Sequence, residues 1–297
     1  MNLFASILVP LDGSVTSARG LACATWLASR LGARLHILSA TPRELAAREE
    51  LQRLHVPEEY WPIVELHQAP AYPAETILAA IARHRAGLVV MTARGAAAEE
   101  AAAPHVDLPK TIGHVTQAVI ERCTAPVLLL PPGYRDVLPW ERLLVPVSGG
   151  TECDEALVFA VRLAGALDLA VHVAHVADAD AKKDDEVAAR TRYSDALHHE
   201  YAAQLEELVA RAIPALARDE CRRVQGLALG RGDVVDELIH LLKRDRVSAL
   251  VVGWHGRFAT GRAEVLKHLI PVLDTPVLLV KCAAPLPFRL KVGEELA

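Results

Sequence analysis

A glycine-containing turn in the C-terminal half carries the clearest potential for binding an anion. Gly253 and Gly256 stand three residues apart, at the end of an apolar run. Glycine accepts positive φ, and this lets backbone N–H groups close on phosphate oxygens at the start of a helix. His255 and Arg257 add side chains that can hold a phosphate by charge. The turn predicts a phosphate site, and the alternative is a tight strand-to-helix turn without a ligand.

An acidic turn follows the first apolar run of the chain. Asp12, Gly13 and Ser14 come directly after residues 6–11. The carboxylate of Asp12 can accept hydrogen bonds from a ribose or a base. An aspartate just before a helix is also a common N-cap, worth about 1 kcal/mol. The sequence leaves both roles of Asp12 open.

The other candidate residues give neither a metal site nor a catalytic one. His172 and His175 lie on a predicted strand at an odd spacing, so they point to opposite faces and cannot share one ion. His198 and His199 are adjacent on a predicted helix, where no ligand at i, i+4 completes a set. The chain also lacks a nucleophile elbow, a P-loop and a pair of tuned carboxylates. We therefore assign no metal ligand and no catalytic residue, and a binding role is favoured over an enzymatic one.

The elements that must position these turns occur twice. The run ILVPLDG at residues 7–13 is echoed 136 residues later by LLVPVSG at 143–149. The closing runs APVLLL at 125–130 and TPVLLV at 275–280 also match. Four residues on one helical face recur at the same spacing of 136, and they are Leu21, Ala24, Ala28 and Leu31 matched by Leu157, Ala160, Ala164 and Leu167. The repeat predicts two domains, residues 1–135 and 136–297, joined by a short turn-forming link.

Each half alternates short apolar runs with helical patterns, which predicts an α/β fold. Such βαβ units build a parallel sheet with helices on both faces. The strands predicted in the first half are residues 6–11, 34–39, 63–68, 87–91 and 127–130. Five strands per half make a Rossmann-like domain of flavodoxin size. Ligands of such sheets bind outside the carboxyl ends of the strands, where the strand order reverses.

These features together resemble the universal stress protein family over nearly the whole chain, twice. The resemblance rests on V-P-x-D-G-S after the first strand, a G-x2-G turn after the fourth, and the closing strand. It implies a strand order of 3-2-1-4-5, an aspartate that contacts adenosine, and a G-x2-G-x9-G-[ST] loop around the phosphates. It also implies pairing through the closing strand, which in a tandem protein can occur inside one chain as a pseudo-dimer.

The first half departs from this pattern in its phosphate loop. Thr92 stands at the first glycine position, while Gly95 stands at the second. Seventeen residues separate Gly95 from Gly113, where the family has nine, and His114 replaces the serine or threonine. The acidic aspartate turn is kept, so this half retains one part of the site.

The second half departs in the complementary way. It keeps Gly253 and Gly256, but Ser148 replaces the aspartate, Ala263 aligns with the third glycine and Glu264 with the serine or threonine. Each copy thus keeps one part of an ATP motif. The candidate cofactor-binding residues are Asp12, Gly13, Ser14, Gly113, Gly253, His255, Gly256 and Arg257.

The resulting prediction is a cytoplasmic stress-response binding and signalling protein with degenerate nucleotide sites in both domains. The alternative is an ATP-binding stress protein with one functional site and slow hydrolysis. ATP is the one candidate cofactor. The candidate partners are an adenine nucleotide and other proteins, including a second copy as a homodimer.

Composition narrows the class of partner and the compartment. The formal charge is −5 and the basic residues are scattered, which argues against nucleic acid and an anionic membrane as partners. The five cysteines include no C-x-x-C pair, as expected of reduced thiols in the cytoplasm. Charged residues or prolines interrupt every apolar stretch, so we expect no membrane helix.

Overall fold

The first half forms a parallel sheet whose strands follow the predicted plan. The computed structural model describes residues 4–41, 44–69, 73–95, 112–148, 151–177, 218–258 and 263–282. The first five strands are β1 (Ser6–Leu11), β2 (Arg34–Ala40), β3 (Val64–Ala69), β4 (Leu88–Thr92) and β5 (Val127–Leu130). Their order is β3-β2-β1-β4-β5, and all four pairings are parallel. The strand order that the family resemblance implied is therefore confirmed.

Helices connect these strands on both faces of the sheet. They are α1 (Val15–Ala18), α2 (Gly20–Leu31), α3 (Ala47–Arg53), a 3-10 turn (Glu58–Ile63), α4 (Pro73–His84) and α5 (His114–Arg122). Most of the long insert between Gly95 and Gly113, residues 96–111, lies outside the described residues.

The second half repeats the plan. Its strands are β6 (Arg142–Pro146), β7 (Ala170–Ala177), β8 (Val224–Arg231), β9 (Ala249–Trp254) and β10 (Val277–Lys281). Its helices are α6 (Thr151–Leu167), α7 (Arg218–Cys221), α8 (Val234–Arg244) and α9 (Glu264–Leu269). The strand order β8-β7-β6-β9-β10 is the same order as in the first half. His198 and His199, considered above as metal ligands, lie outside the described residues.

The two sheets join into one through their closing strands. β5 pairs with β10 in antiparallel register, with Leu128 opposite Leu278 and Leu129 opposite Val277. The result is one ten-stranded sheet whose described pairings are parallel except for the antiparallel one at the centre. The expected intramolecular pseudo-dimer is thus confirmed as a strand pairing inside the chain.

The helical face deduced from the repeat packs the two halves together. Leu21 and Ala24 of α2 and Leu157 and Ala160 of α6 are buried in one continuous apolar cluster. Aromatic rings cross the boundary in the same layer, since Trp26 packs on Trp140 with ring centroids 5.5 Å apart. Within the described parts of the chain, no helix is long and apolar enough to cross a membrane.

Candidate functional site

The loops after β1 and β4 meet in the first half, as the fold requires of a ligand site. A Cβ atom added at Gly95 would overlap Asp12 Oδ2, so the strand-four turn lies directly against the aspartate. The backbone N–H of Gly113 donates to Ala93 O at 2.8 Å, which brings the start of α5 to the same turn. The structure therefore brings Asp12 and Gly113 to the two sides of one turn, although the sequence between Gly95 and Gly113 is long.

The carboxylate of Asp12 is engaged by its own turn. Asp12 Oδ1 accepts from the backbone N–H of Ser14 at 2.9 Å and from its hydroxyl at 2.6 Å. The N-cap of α1 is Ser14, whose Oγ accepts from the backbone N–H of Ser17 at 3.0 Å. The interpretation of Asp12 as the cap is therefore wrong in its residue, because Asp12 lies two residues before Ser14 and orients that side chain.

Replacing Asp12 with alanine is expected to lower the free energy of unfolding by about 1 kcal/mol, the size of a lost capping contact. The hydroxyl of Ser14 would keep its bond to Ser17 but lose its acceptor. Chemical denaturation measures the change. Asp154→Ala in α6 serves as a comparison at a helical position of the second half. A loss of more than about 3 kcal/mol of unfolding free energy in Asp12→Ala would show that the carboxylate supports more than this turn.

An ion pair fills the space between the carboxyl ends of β1 and β2. Gly13 has φ +86, and a Cβ atom added there would lie 2.6 Å from Arg53 Nη1. Arg53 Nε donates to Glu50 Oε2 at 2.8 Å, and Arg53 Nη2 donates to Ser39 Oγ at 2.9 Å. The Ser39 hydroxyl donates to Glu50, which is fully buried. The hydrogen bonds from Arg53, foremost, hold the pKa of Glu50 below its ordinary value.

A small cavity lies on the other side of Gly95. It has a volume of ≈160 Å³ and is lined in part by Arg19, Arg94 and Gly95. The Nε atom of Arg94 is buried and has no hydrogen-bond partner in the part of the chain that the structure describes. Arg94 as a whole is half-buried, and a guanidinium N–H without a partner favours an anion beside it.

The strand-four turn of the second half is already bonded to the protein. The backbone N–H of Phe258 donates to the carboxylate of Glu121 in α5 at 2.9 Å. Lys281 Nζ donates to the backbone oxygen of Glu121 at 2.6 Å, and the Lys281 side chain lies against Gly256. A carboxylate from the first half thus accepts a hydrogen bond from a backbone N–H just after Gly256.

The residues predicted to form the phosphate site of this turn lie in different environments. Gly253 lies within β9 opposite Val280, while His255 and Arg257 are exposed. Gly256 has φ +78 and needs glycine for that reason. Gly253 and Gly113 do not have positive φ, so the argument from glycine freedom is wrong at both positions. At Gly113 an added Cβ atom would lie 3.6 Å from Ala93 O, an ordinary van der Waals distance, so packing does not require glycine there either.

Ala263, at the third glycine position of the second half, adopts a backbone conformation that glycine favours. Ala263 has φ 54 and ψ 29, in the left-handed region, directly before α9. Replacing Ala263 with glycine should raise the free energy of unfolding by about 0.5 to 1 kcal/mol, since it removes Cβ strain of ~1 to 2 kcal/mol against a smaller entropic cost. Chemical denaturation checks this. Ala79→Gly, on the exposed face of α4, should instead lower the free energy of unfolding by up to about 1 kcal/mol. A loss of stability in both variants would contradict the backbone strain assigned to Ala263.

Sequence reasoning missed the groups that close these sites. Ser39, Glu50 and Arg53 meet only when α3 folds over the end of β2, and Glu121 and Lys281 belong to different halves. The single local signal was the Glu50–Arg53 spacing of i, i+3, which also occurs on ordinary solvated helices.

Comparison with known proteins identifies the family to which the chain belongs. The model of the universal stress protein family matches residues 39–131 and 139–281. The chain belongs to the universal stress protein family, as the repeat and the strand-one turn predicted. None of the curated protein sequences matches it.

Solved structures of tandem proteins share the fold. A functionally unknown protein from Pseudomonas aeruginosa PAO1 is similar with a TM-score of 0.62 and 16% identity, covering 94% of this chain and 92% of its own. A universal stress protein from Archaeoglobus fulgidus DSM 4304 gives a TM-score of 0.61 at 16% identity, covering 93% and 98%. At this identity the likeness establishes the two-domain fold.

Proposed function

We propose that the chain is a stress-response binding and signalling module whose two nucleotide sites are degenerate. One observation carries the proposal: in each half a side chain of the protein lies against the turn where the family motif would place the nucleotide. Arg53 lies over Gly13 in the first half, and Glu121 accepts the N–H of Phe258 in the second. A nucleotide in either half would have to displace the contact of that half before it could bind as the family motif implies.

The cavity beside Gly95 is small and is separate from the strand-one turn. Its ≈160 Å³ is below the roughly 300 to 1,000 Å³ typical of small-molecule sites, and Asp12, Gly13, Ser14 and Gly113 are not among the residues that line it. In this proposal the domains are residues 1–135 and 136–297, the compartment is the cytoplasm, and signalling proceeds through contacts with other proteins, including a second copy.

The alternative is an ATP-binding stress protein with one working site in the first half. Arg94 favours it, because this residue lines the cavity next to Gly95 and its Nε has no hydrogen-bond partner among the described residues. In that case Asp12, Gly13, Ser14 and Gly113 would surround the nucleotide. The retained Gly253, His255, Gly256 and Arg257 would then serve only the turn of the second half.

Thermal unfolding with and without Mg-ATP separates the two candidates. A ligand at one hundred times its Kd stabilises the folded state by about 2.7 kcal/mol, which raises the melting temperature by several degrees. The degenerate-site proposal predicts no rise at millimolar Mg-ATP. A rise in the wild type that Arg94→Met abolishes, and that Arg257→Met leaves in place, would support the alternative.

A further inference from the structure

Three histidines from separate elements meet at the outer edge of the first half. His36 lies on β2 and is only 2% exposed, His67 lies on the edge strand β3, and His84 is the last residue of α4. Each offers one ring nitrogen, and the three nitrogens lie within 4.8 Å of one another. The cluster is well away from the strand-one and strand-four turns, because His84 precedes β4 and those turns follow β1 and β4.

The rings are close enough to act as one site. His36 Nδ1 lies 3.0 Å from His67 Nε2 and 3.3 Å from Glu65 Oε2. The rings of His67 and His84 stack with centroids 4.0 Å apart. His36 Nε2 is buried and has no hydrogen-bond partner within the described ranges. The cluster thus has more ring nitrogens than the described protein groups satisfy.

The chemistry of the cluster suits a divalent transition metal. Burial, foremost, lowers the pKa of His36 and of His67 below the ordinary imidazole value. Neutral imidazole is a preferred ligand of Zn²⁺ and its neighbours, at about 2.0 to 2.1 Å. Two nitrogens on one tetrahedral ion are then ~3.4 Å apart, so a small separation of the rings would let an ion replace the 3.0 Å hydrogen bond between His36 Nδ1 and His67 Nε2.

The repeat shows that the fold alone does not impose this arrangement. β2 and β7 have the same register, with His36 opposite Leu8 and His172 opposite Leu144. At the position that corresponds to His67 the second half has Ala228, and at that of His84 it has Asp245. There His172 Nδ1 faces a carboxylate oxygen of Asp245 at 3.4 Å. Among the described residues, the three histidines of the first half thus correspond to a histidine, an alanine and an aspartate in the second half.

We propose that His36, His67 and His84 bind one divalent transition-metal ion of the Zn²⁺ type. Glu65 or a water molecule completes the coordination. The ion joins β2, the edge strand β3 and the end of α4, so its binding stabilises the outer edge of the sheet. The sequence predicted no metal site, because these histidines are separated by 31 and 17 residues and belong to no metal-binding motif.

Titration of the full chain with Co²⁺ tests the site. The protein is stripped with a chelator, and Co²⁺ is followed by the visible absorption that distinguishes four-coordinate from six-coordinate ions. We expect one Co²⁺ per chain with a four-coordinate spectrum, displaced by one equivalent of Zn²⁺. His67→Ala and His84→Ala should each weaken binding at least tenfold, whereas His172→Ala in the second half should leave it unchanged. His67 and His84 are only partly buried, so both variants should fold.

The thermal response to Zn²⁺ provides a second readout. Zn²⁺ should raise the melting temperature of the wild type and of His172→Ala, and it should not raise that of His67→Ala or His84→Ala. Wild type and both histidine variants with equal Co²⁺ affinity would overturn the proposal, since the ion would then bind elsewhere, for example at a cysteine. Absence of stoichiometric binding by the wild type would overturn it as well.

Discussion

Replacing Arg53 with methionine is expected to lower the free energy of unfolding by about 2 to 3 kcal/mol. The change leaves the carboxylate of Glu50, which is fully buried, with the Ser39 hydroxyl as its hydrogen-bond donor among the described residues. Breaking a buried ion pair by removing one member costs about 3 to 5 kcal/mol, because the other charge stays buried. Because the Arg53 side chain is 39% exposed, solvent screens the pair and the expected loss of unfolding free energy lies below that range. Urea denaturation at pH 7 gives the change.

Two further variants show whether the loss comes from the buried charge. Glu50→Gln combined with Arg53→Met should recover part of the loss, because no charge remains buried. Arg48→Met, at an exposed position of the same helix, should cost less than about 1 kcal/mol. An equal loss in the single and double variants would contradict the role given to the Glu50 charge.

The pH dependence of the wild type follows from the same pair. The pKa of Glu50 is lowered in the folded state, so its contribution is present above the ordinary carboxyl pKa and is lost as the pH falls toward the lowered value. Arg53→Met should weaken this acid dependence. Denaturation at several acidic pH values, compared between wild type and variant, measures it.

Truncating Leu128 to alanine is expected to cost about 2 to 5 kcal/mol. Leu128 is fully buried in the closing strand β5, directly opposite Leu278 of β10, which is 1% exposed. Large-to-small changes at such positions lose the transfer free energy and also leave a cavity. Val137→Ala, at a position 67% exposed, should change stability little. Calorimetric or urea unfolding measures both variants.

A double-mutant cycle links this cost to the pairing of the two halves. Leu128→Ala and Leu278→Ala should be coupled by more than about 0.5 kcal/mol, because cross-strand neighbours share contacts. Additivity within about 0.3 kcal/mol would contradict direct contact between the closing strands. The cycle therefore tests the ten-stranded sheet independently of any ligand.

Most of the fold followed from local pattern and the repeat. The first strand and the fifth of the first half have the predicted bounds, and the others differ by one residue at one or both ends. Apolar periodicity and the turn residues are local properties, so the sequence carries them directly. The boundary between the domains at residue 135 stays a prediction, consistent with the two segments that match the family model.

The candidate sites were predicted less fully, because their closing groups come from distant parts of the chain. Asp12 was placed beside the strand-four turn by the strand order, and the structure puts it there. Glu121 reaches Phe258 only through the antiparallel pairing of β5 with β10, which brings α5 next to the other half. His36, His67 and His84 meet through the register of β2 and β3, which no spacing along the chain encodes.

Calorimetric titration of the nucleotide-stripped protein with Mg-ATP tests the claim of degenerate sites most directly. We predict no heat of binding at micromolar protein concentration. The titration is run at two temperatures, because a binding enthalpy that happens to be zero at one temperature would not be zero at the other. Saturable binding of one ATP per chain with a micromolar Kd would contradict the account, because Arg53 and Glu121 would then not close the sites.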